Sequence, residues 1–241
     1  PARYFFGKTE HGSDPTELKD SLQYPSGKLN INNMQAMMNV SSSHDAPRLL
    51  TDFYNSNDYK YHANPGENAA YKTGKPDKES YKRLQLYLIH LFTTVGAPQI
   101  WNGEEMGMWG ADDPYGRKPL WWKELKFKQE NRNNISNQNP DYDKVGFNQT
   151  TFNFYKKLIQ IRKSNPVLVD GEMTFICTDH KKLAYKRHTS TDEIIVLFNL
   201  ESDNQTFNLP DANYIDLLTG KLWICNKIKV SSLSGMILKK I

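Results

Sequence analysis

Between Lys78 and Val95 the apolar positions Tyr81, Leu84, Tyr87, Leu88, Leu91, Phe92 and Val95 recur at the three-and-four spacing of one helix face, and Gly96 stands just past the last of them. That pattern predicts an amphipathic helix with a glycine stop. Thr150–Ser164 repeats it more sparsely, with Phe154, Leu158 and Ile161 on one face and Asn165-Pro166 as terminator. Gln35–Val40 is instead a compact, mostly apolar run that opens directly into Ser41-Ser42-Ser43-His44-Asp45. A buried parallel strand ending in a polar loop has this form. Pro98-Gln99-Ile100-Trp101 reads as a second short strand, so strand, loop, helix and strand make a βαβ unit. An earlier helix is expected from Ser13-Asp14-Pro15-Thr16-Glu17-Leu18, where a capping residue precedes a first-turn proline, and it should close before Pro25-Ser26-Gly27.

Beyond Pro166 the period changes to short runs of β-formers punctuated by Gly, Asp, Asn and Ser. The runs are Met173–Cys177, Leu183–Arg187, Ile194–Leu200, Gln205–Leu209, Tyr214–Leu218, Lys227–Val230 and Met236–Leu238, the pattern of a small antiparallel sandwich. Two domains follow, an α/β unit over residues 1–166 and an all-β unit over 167–241. Asn55–Asp77 has no regular apolar period and reads as a long surface excursion.

A chain of 241 residues has room for two such units. Its 31 Lys and Arg are interspersed with 27 Asp and Glu, which argues against a nucleic-acid partner. Cys177 and Cys225 stand far apart with no CxxC or His cluster beside them, and read as two small buried residues. The most apolar run, Leu86–Val95, is broken by His90 and two threonines, so no membrane partner is expected. The chain opens on Pro1-Ala2-Arg3-Tyr4 without an initiator Met or leader, and the start of the gene product is expected to lie upstream. The compartment is left open.

His44 and Asp45 alone mean little, since either residue can cap a helix or satisfy a turn. Their place at a strand end of a βαβ unit is more informative, because barrel enzymes build their sites on that edge. Ala46-Pro47-Arg48-Leu49-Leu50-Thr51 follows, then Gly96-Ala97-Pro98-Gln99-Ile100-Trp101-Asn102-Gly103-Glu104-Glu105-Met106-Gly107, then Asp113-Pro114, Arg117-Lys118-Pro119-Leu120-Trp121-Trp122, and late in the chain Asp216-Leu217-Leu218-Thr219-Gly220. This ordered set resembles the late part of the α-amylase family of glycoside hydrolases, most closely its neopullulanase and cyclomaltodextrinase branch. Trp101-Asn102 stands where that family has two tyrosines, and Glu104 where it has Asp.

The resemblance implies the C-terminal part of a (β/α)8 TIM barrel, strands seven and eight with their helices, followed by the sandwich. It implies that Asp45 stabilises the transition state by binding sugar hydroxyls in the cleavage subsite, and that His44 donates to the same sugar. The nucleophilic Asp and the acid Glu of the family are found nowhere in residues 1–35, so this chain alone is expected to be inactive. Arg48 is a candidate partner of Asp45 or of an upstream carboxylate, with a plain surface arginine as the alternative. Asp113 and Arg117 are expected to shape the mouth of the cleft or to hold its loop by an ion pair. Among Tyr54, Tyr59, Tyr61, Tyr71, Trp109, Trp121 and Trp122, which suit stacking on a sugar ring, Tyr54 and Trp109 are expected to meet substrate.

The expected ligand is an α-glucan oligosaccharide, and the expected protein partner is the missing half of the barrel or a second copy joined through the open sheet edge. No cofactor or metal is expected in this segment, although the resemblance allows Ca²⁺ in the full-length enzyme. A transglycosylase, or a non-catalytic carbohydrate-binding or partner domain on the same fold, is the alternative function.

Overall fold

The computed structural model describes residues 2–7, 14–23, 27–56, 62–132, 141–179, 182–224 and 226–241. Ser13, Pro25, Ser26, Tyr59, Tyr61 and Cys225 from the expectations above lie outside them. The first part of the chain carries helices α1 (Ala2–Gly7), α2 (Pro15–Gln23) and α3 (Ile31–Ala36), strand β1 (Met38–Asn39), helices α4 (Leu49–Tyr54) and α5 (Lys78–Thr93) and strand β2 (Ala97–Pro98). A short ribbon of β3 (Glu130–Asn131) and β4 (Tyr142–Asp143) follows, then α6 (Gln149–Ser164) and α7 (Val167–Asp170). The second part is β5 (Glu172–Asp179), β6 (Lys182–His188), β7 (Glu193–Asn199), β8 (Gln205–Asn208), β9 (Asn213–Asp216), β10 (Leu222–Ile224), β11 (Lys227–Val230) and β12 (Ser234–Lys240).

The long helices start where the sequence places a cap. Asp77 accepts the Ser80 N–H at 2.8 Å to open α5, and Asn148 accepts that of Thr151 at 3.1 Å to open α6. Asp14 accepts the N–H groups of Thr16 and Glu17 ahead of Pro15 to open α2. Gly96, at φ +100°, turns the chain from α5 into β2, and a Cβ there would come within 2.8 Å of the Met37 carbonyl. Only glycine permits both that backbone angle and that approach.

The expected strands at 35–40 and 98–101 are shorter than the apolar runs suggested. β1 and β2 pair in parallel over Met38↔Ala97 and Asn39↔Pro98 only. Upstream, the Asn30 side chain accepts the Asn33 N–H at 2.9 Å and starts a helical turn that absorbs Gln35 and Ala36. Downstream, Ser41 continues the pairing through side chains, its N–H donating to Gln99 Oε1 at 2.9 Å and its hydroxyl to Gln99 O at 2.9 Å. The outer edge of β1 faces a cavity of about 520 Å³ lined by Met34, Met37, Met38, Val40, Leu91 and Val95 among others. Met38 and Val40 are 63 % and 57 % exposed there.

Six strands form one antiparallel sheet in the order β10-β9-β12-β7-β6-β5, and β11 pairs with β8 as a separate ribbon. β10 had no counterpart among the expected runs. Alternate residues of the sheet face opposite ways. Leu183, Tyr185, Ile194, Val196, Phe198 and Ile237 join the apolar cluster that includes Leu86, Ile89 and Leu91 of α5. Ala184, Ile195, Leu197, Met236 and Leu238 join Phe207, Ile228 and Val230 of the ribbon in a second cluster. One core therefore runs from α1 through α5 into the sheet, crossing from the α/β part to the β part.

The C-terminal end of α5 is closed by two arginines. Arg187 of β6, fully buried, donates through Nη1 to the carbonyls of Thr93, Thr94 and Leu168 at 2.8, 2.9 and 2.8 Å and through Nη2 to Gly171 O at 2.7 Å. Arg162 of α6 donates to Phe92 O at 2.8 Å and Gly96 O at 2.7 Å. These donors supply what the last turn of a helix leaves unsatisfied, and positive charge suits that end of the helix dipole. Cys177, expected to be buried, is half-buried, because β5 is an edge strand of the sheet.

Candidate active site

The chain leaves β1 at the strand's C-terminal end and turns through Ser43-His44-Asp45, where the Asp45 N–H donates to Ser43 Oγ at 3.2 Å. His44 Nε2 lies 3.1 Å from Asp45 Oδ2, and the two side chains are 54 % and 68 % exposed, so both are open to a ligand. Trp101, at the end of the segment that follows β2, sets its half-buried ring 6.1 Å from the His44 ring at 37°. Arg117 Nη2 stands 4.0 Å from Asp45 Oδ1, and its Nε pairs with Asp113 Oδ1. The Asp113 pair raises the Arg117 guanidinium pKa further, so this charge is permanent. Asp112 has its pKa raised by burial first, with the charges of Asp113 and Asp45 adding to it.

A second, buried layer lies beneath this rim. Glu104, 1 % exposed, accepts from Ser42 Oγ at 2.8 Å and from the Leu49 N–H at 3.3 Å, with Arg48 Nη1 at 3.8 Å. Burial pushes its carboxyl up to about 7 against the opposing pull of Arg48 and these hydrogen bonds. Arg48 neither pairs with Asp45 nor lies on the surface. It is 4 % exposed and donates to Asn102 O at 3.0 Å and Gly116 O at 3.3 Å, because Pro47-Arg48 turns inward to start α4.

Trp109 is likewise corrected: it is 3 % exposed and meets Trp121 edge-on at 4.5 Å, which leaves no indole face for a sugar. Tyr54 is half-buried at the end of α4, with Lys72 Nζ 4.8 Å over its ring. Tyr71 and Trp121 are buried, and Trp122 is exposed. The structure thus brings together His44, Asp45, Asp113 and Arg117 and leaves Arg48, Trp109 and Tyr54 out of the open rim. Trp101 is not among the aromatics expected at the sugar. Its signal was its place at the end of the second strand, the counterpart of His44 at the first.

Among the described residues no group of three or more His, Cys, Asp or Glu side chains is arranged to hold a metal ion. Among them, too, no helix is long and apolar enough to cross a membrane.

The rim sets a carboxylate, an imidazole, an indole face and a guanidinium at the end of a parallel strand. In fold, the chain is similar to the type III pullulan hydrolase from Thermococcus kodakarensis, which aligns with a TM-score of 0.72 over 99 % of this chain and 34 % of its own, at 20 % identity. A second solved structure, described as a cyclomaltodextrinase, aligns with a TM-score of 0.70 over the whole of this chain and 35 % of its own, again at 20 % identity. Residues 13–171 match the family described as alpha amylase, catalytic domain, and this chain belongs to it. Its relatives include the cyclomaltodextrinase of Thermoanaerobacter pseudethanolicus, 34 % identical over 54 % of this chain and 19 % of that protein. Neopullulanase 2 of Thermoactinomyces vulgaris is 27 % identical over 78 % of this chain and 26 % of that protein. The chain thus spans about a fifth to a quarter of the length of these relatives.

Proposed function

We propose that this chain supplies the His-Asp sugar subsite of a retaining glycoside hydrolase that cleaves α-glucosidic bonds in starch-type oligosaccharides. The observation that carries the reading is the pairing of His44 and Asp45, exposed, beside Trp101 at the C-terminal end of a parallel strand pair. In this reading β1 and β2 are the seventh and eighth strands of the barrel. Retaining hydrolysis needs a nucleophilic carboxylate and a carboxylic acid about 5–5.5 Å apart, and we assign both to residues outside this chain.

Asp45 accepts hydroxyls of the sugar at the cleavage point, and those bonds strengthen as the ring flattens toward an oxocarbenium ion. The Asp45 carboxylate acts electrostatically on the same developing charge. His44 donates to a sugar hydroxyl, and the Trp101 ring supplies an apolar face for the pyranose. Arg117 holds Asp45 and Asp113 in place from the solvent side. The edge of β1 that pairs with no described strand, where Met38 and Val40 are exposed, is the seam at which the remaining barrel strands or a second copy join.

The test is titration calorimetry with maltohexaose on the chain and on Asp45→Ala, alongside an assay for reducing-end release. Binding without cleavage, lost in Asp45→Ala, is the expected result. Equal binding by both chains removes Asp45 from the subsite, and cleavage by the chain alone places a nucleophile within it.

A further inference from the structure

We propose that Glu104 is a positioning residue that sets the loop carrying His44 and Asp45, by tying the two ends of that loop to one buried carboxylate. The consequence for sugar binding rests on the reading of His44 and Asp45 given above. Ser42 stands two residues before His44 and Leu49 four residues after Asp45, and both donate to Glu104 Oε1. The Leu49 N–H opens α4 and has no acceptor within that helix. Arg48 completes the tie, its own N–H donating to Gly110 O at 3.0 Å while its side chain reaches Asn102 O and Gly116 O. Neither end of the loop can shift without breaking a contact to Glu104 or Arg48, and the exposed groups between them move with the ends.

The backbone is shaped to aim Glu104 inward. Gly103, at φ +96°, precedes it, and a Cβ at that position would meet Met108 Sδ at 2.4 Å and Arg48 Nη1 at 3.0 Å. All of the carboxylate's contacts fall on Oε1, while Oε2 is buried with no partner among the described residues. A proton on Glu104 therefore resides on Oε2 and leaves Oε1 an acceptor. Protonation keeps both hydrogen bonds but removes their charge assistance and the attraction for Arg48. Arg48 and Arg3 of α1 act on the carboxyl, and it acts in turn on Tyr87 of α5 and Tyr155 of α6, both held neutral by burial. Glu105, next along the chain, turns its carboxylate to the Gly103 N–H at 2.9 Å. With burial holding Glu104 near 7, the loop is gripped more firmly above neutral pH than below it.

The test follows the Leu49 amide by ¹H–¹⁵N NMR from about pH 5 to 9, beside maltohexaose binding over the same range, in the wild-type chain, Glu104→Gln and Glu104→Ala. Gln keeps the acceptor without the charge. The wild-type amide is expected to move with a midpoint near 7. In Glu104→Gln that inflection disappears and affinity at high pH falls about threefold to tenfold, as for the loss of charge from one or two hydrogen bonds. In Glu104→Ala affinity falls further. A wild-type amide without an inflection near neutral pH, or one that persists unchanged in Glu104→Gln, overturns the proposal; the Gln variant decides this even if the Ala variant fails to fold. A Leu49 amide that titrates through Glu104 in a chain that binds no maltohexaose sinks the sugar reading and leaves the loop clamp standing.

Discussion

Replacing Arg187 with methionine tests whether the end of α5 is held by a guanidinium or merely by apolar packing. The side chain is 0 % exposed and burial pulls its pKa down to about 10, so it is still a cation at neutral pH. Its hydrogen-bond partners are all carbonyls, those of Thr93, Thr94, Leu168 and Gly171. Of these, only the Thr94 carbonyl has a second side-chain donor among the described residues, Arg162 at 3.4 Å. Methionine fills much of the volume but leaves the other three without this donor. At about 1–3 kcal/mol for each buried carbonyl left unsatisfied, the loss is about 3–9 kcal/mol. Relief of the desolvated charge offsets several kcal/mol of that, so a net loss of about 3–5 kcal/mol is expected. Arg187→Lys should recover only part of this, since a single ammonium cannot span acceptors from α5 to Gly171. Urea unfolding with a common m-value measures both. A loss below about 1 kcal/mol for Arg187→Met would refute the reasoning, because it would mean that these carbonyls find other donors.

His90 gives a pH dependence of known sign. It is buried between Phe6 and Phe198, with Tyr185 Oη 3.3 Å from Nδ1, and burial lowers its pKa from 6.5 to about 3. Its contribution is therefore fully present above about 6.5 and lost as pH falls toward 3, by about 2 kcal/mol at pH 5. Glu104, raised by burial, has the opposite slope, so the quantity to measure is the wild-type stability minus that of His90→Phe at pH 7 and pH 5. A difference that does not change between those pH values counts against a neutral buried imidazole. The two indoles should separate cleanly: Trp101→Ala weakens maltohexaose binding with little change in urea midpoint, whereas Trp109→Ala costs about 3–5 kcal/mol of stability. The reverse pattern would show that the wrong tryptophan faces the sugar.

The parts legible in the sequence are those where local chemistry and burial agree. α5 and α6 each have a side-chain cap, apolar residues at helical spacing and a stop close in sequence. β7 reads as a strand because Ile194–Phe198 is buried on both faces, between α5 and the β8–β11 ribbon. The run at 35–40 reads as a longer strand than it forms: its continuous apolar residues signal burial on both faces, while among the described residues β1 pairs only with β2, and the turn begun at Asn30 takes the first residues into α3. Arg48 was illegible for a different reason. Its acceptors lie 54 and 68 residues further along, and a charge at a helix start is ordinarily solvated. Closeness to a strand end puts Trp109 at the rim, but the chain turns at Gly103 and Gly107, both with positive φ, between Trp101 and Trp109, and the later indole is in the core.

The same geometry explains why a peripheral sheet bears on a site it does not touch. α5 ends at Thr93, and three residues later Gly96 turns the chain into β2, whose continuation carries Trp101 and Glu104. Arg187 from the sheet fixes the carbonyls of Thr93 and Thr94, and Arg162 fixes those of Phe92 and Gly96. The starting point of β2 is thus set by two cations, one anchored in the sheet and one in α6. From there the side chain of Gln99 holds Ser41, Glu104 holds Ser42 and Leu49, and the loop between them presents His44 and Asp45. Each link is a hydrogen bond to a backbone group or a buried carboxylate, with little freedom to relax. A displacement at the end of α5 therefore reaches the rim through backbone already fixed at every step, whereas a change on the ribbon face of the sheet meets only the apolar packing of the second cluster.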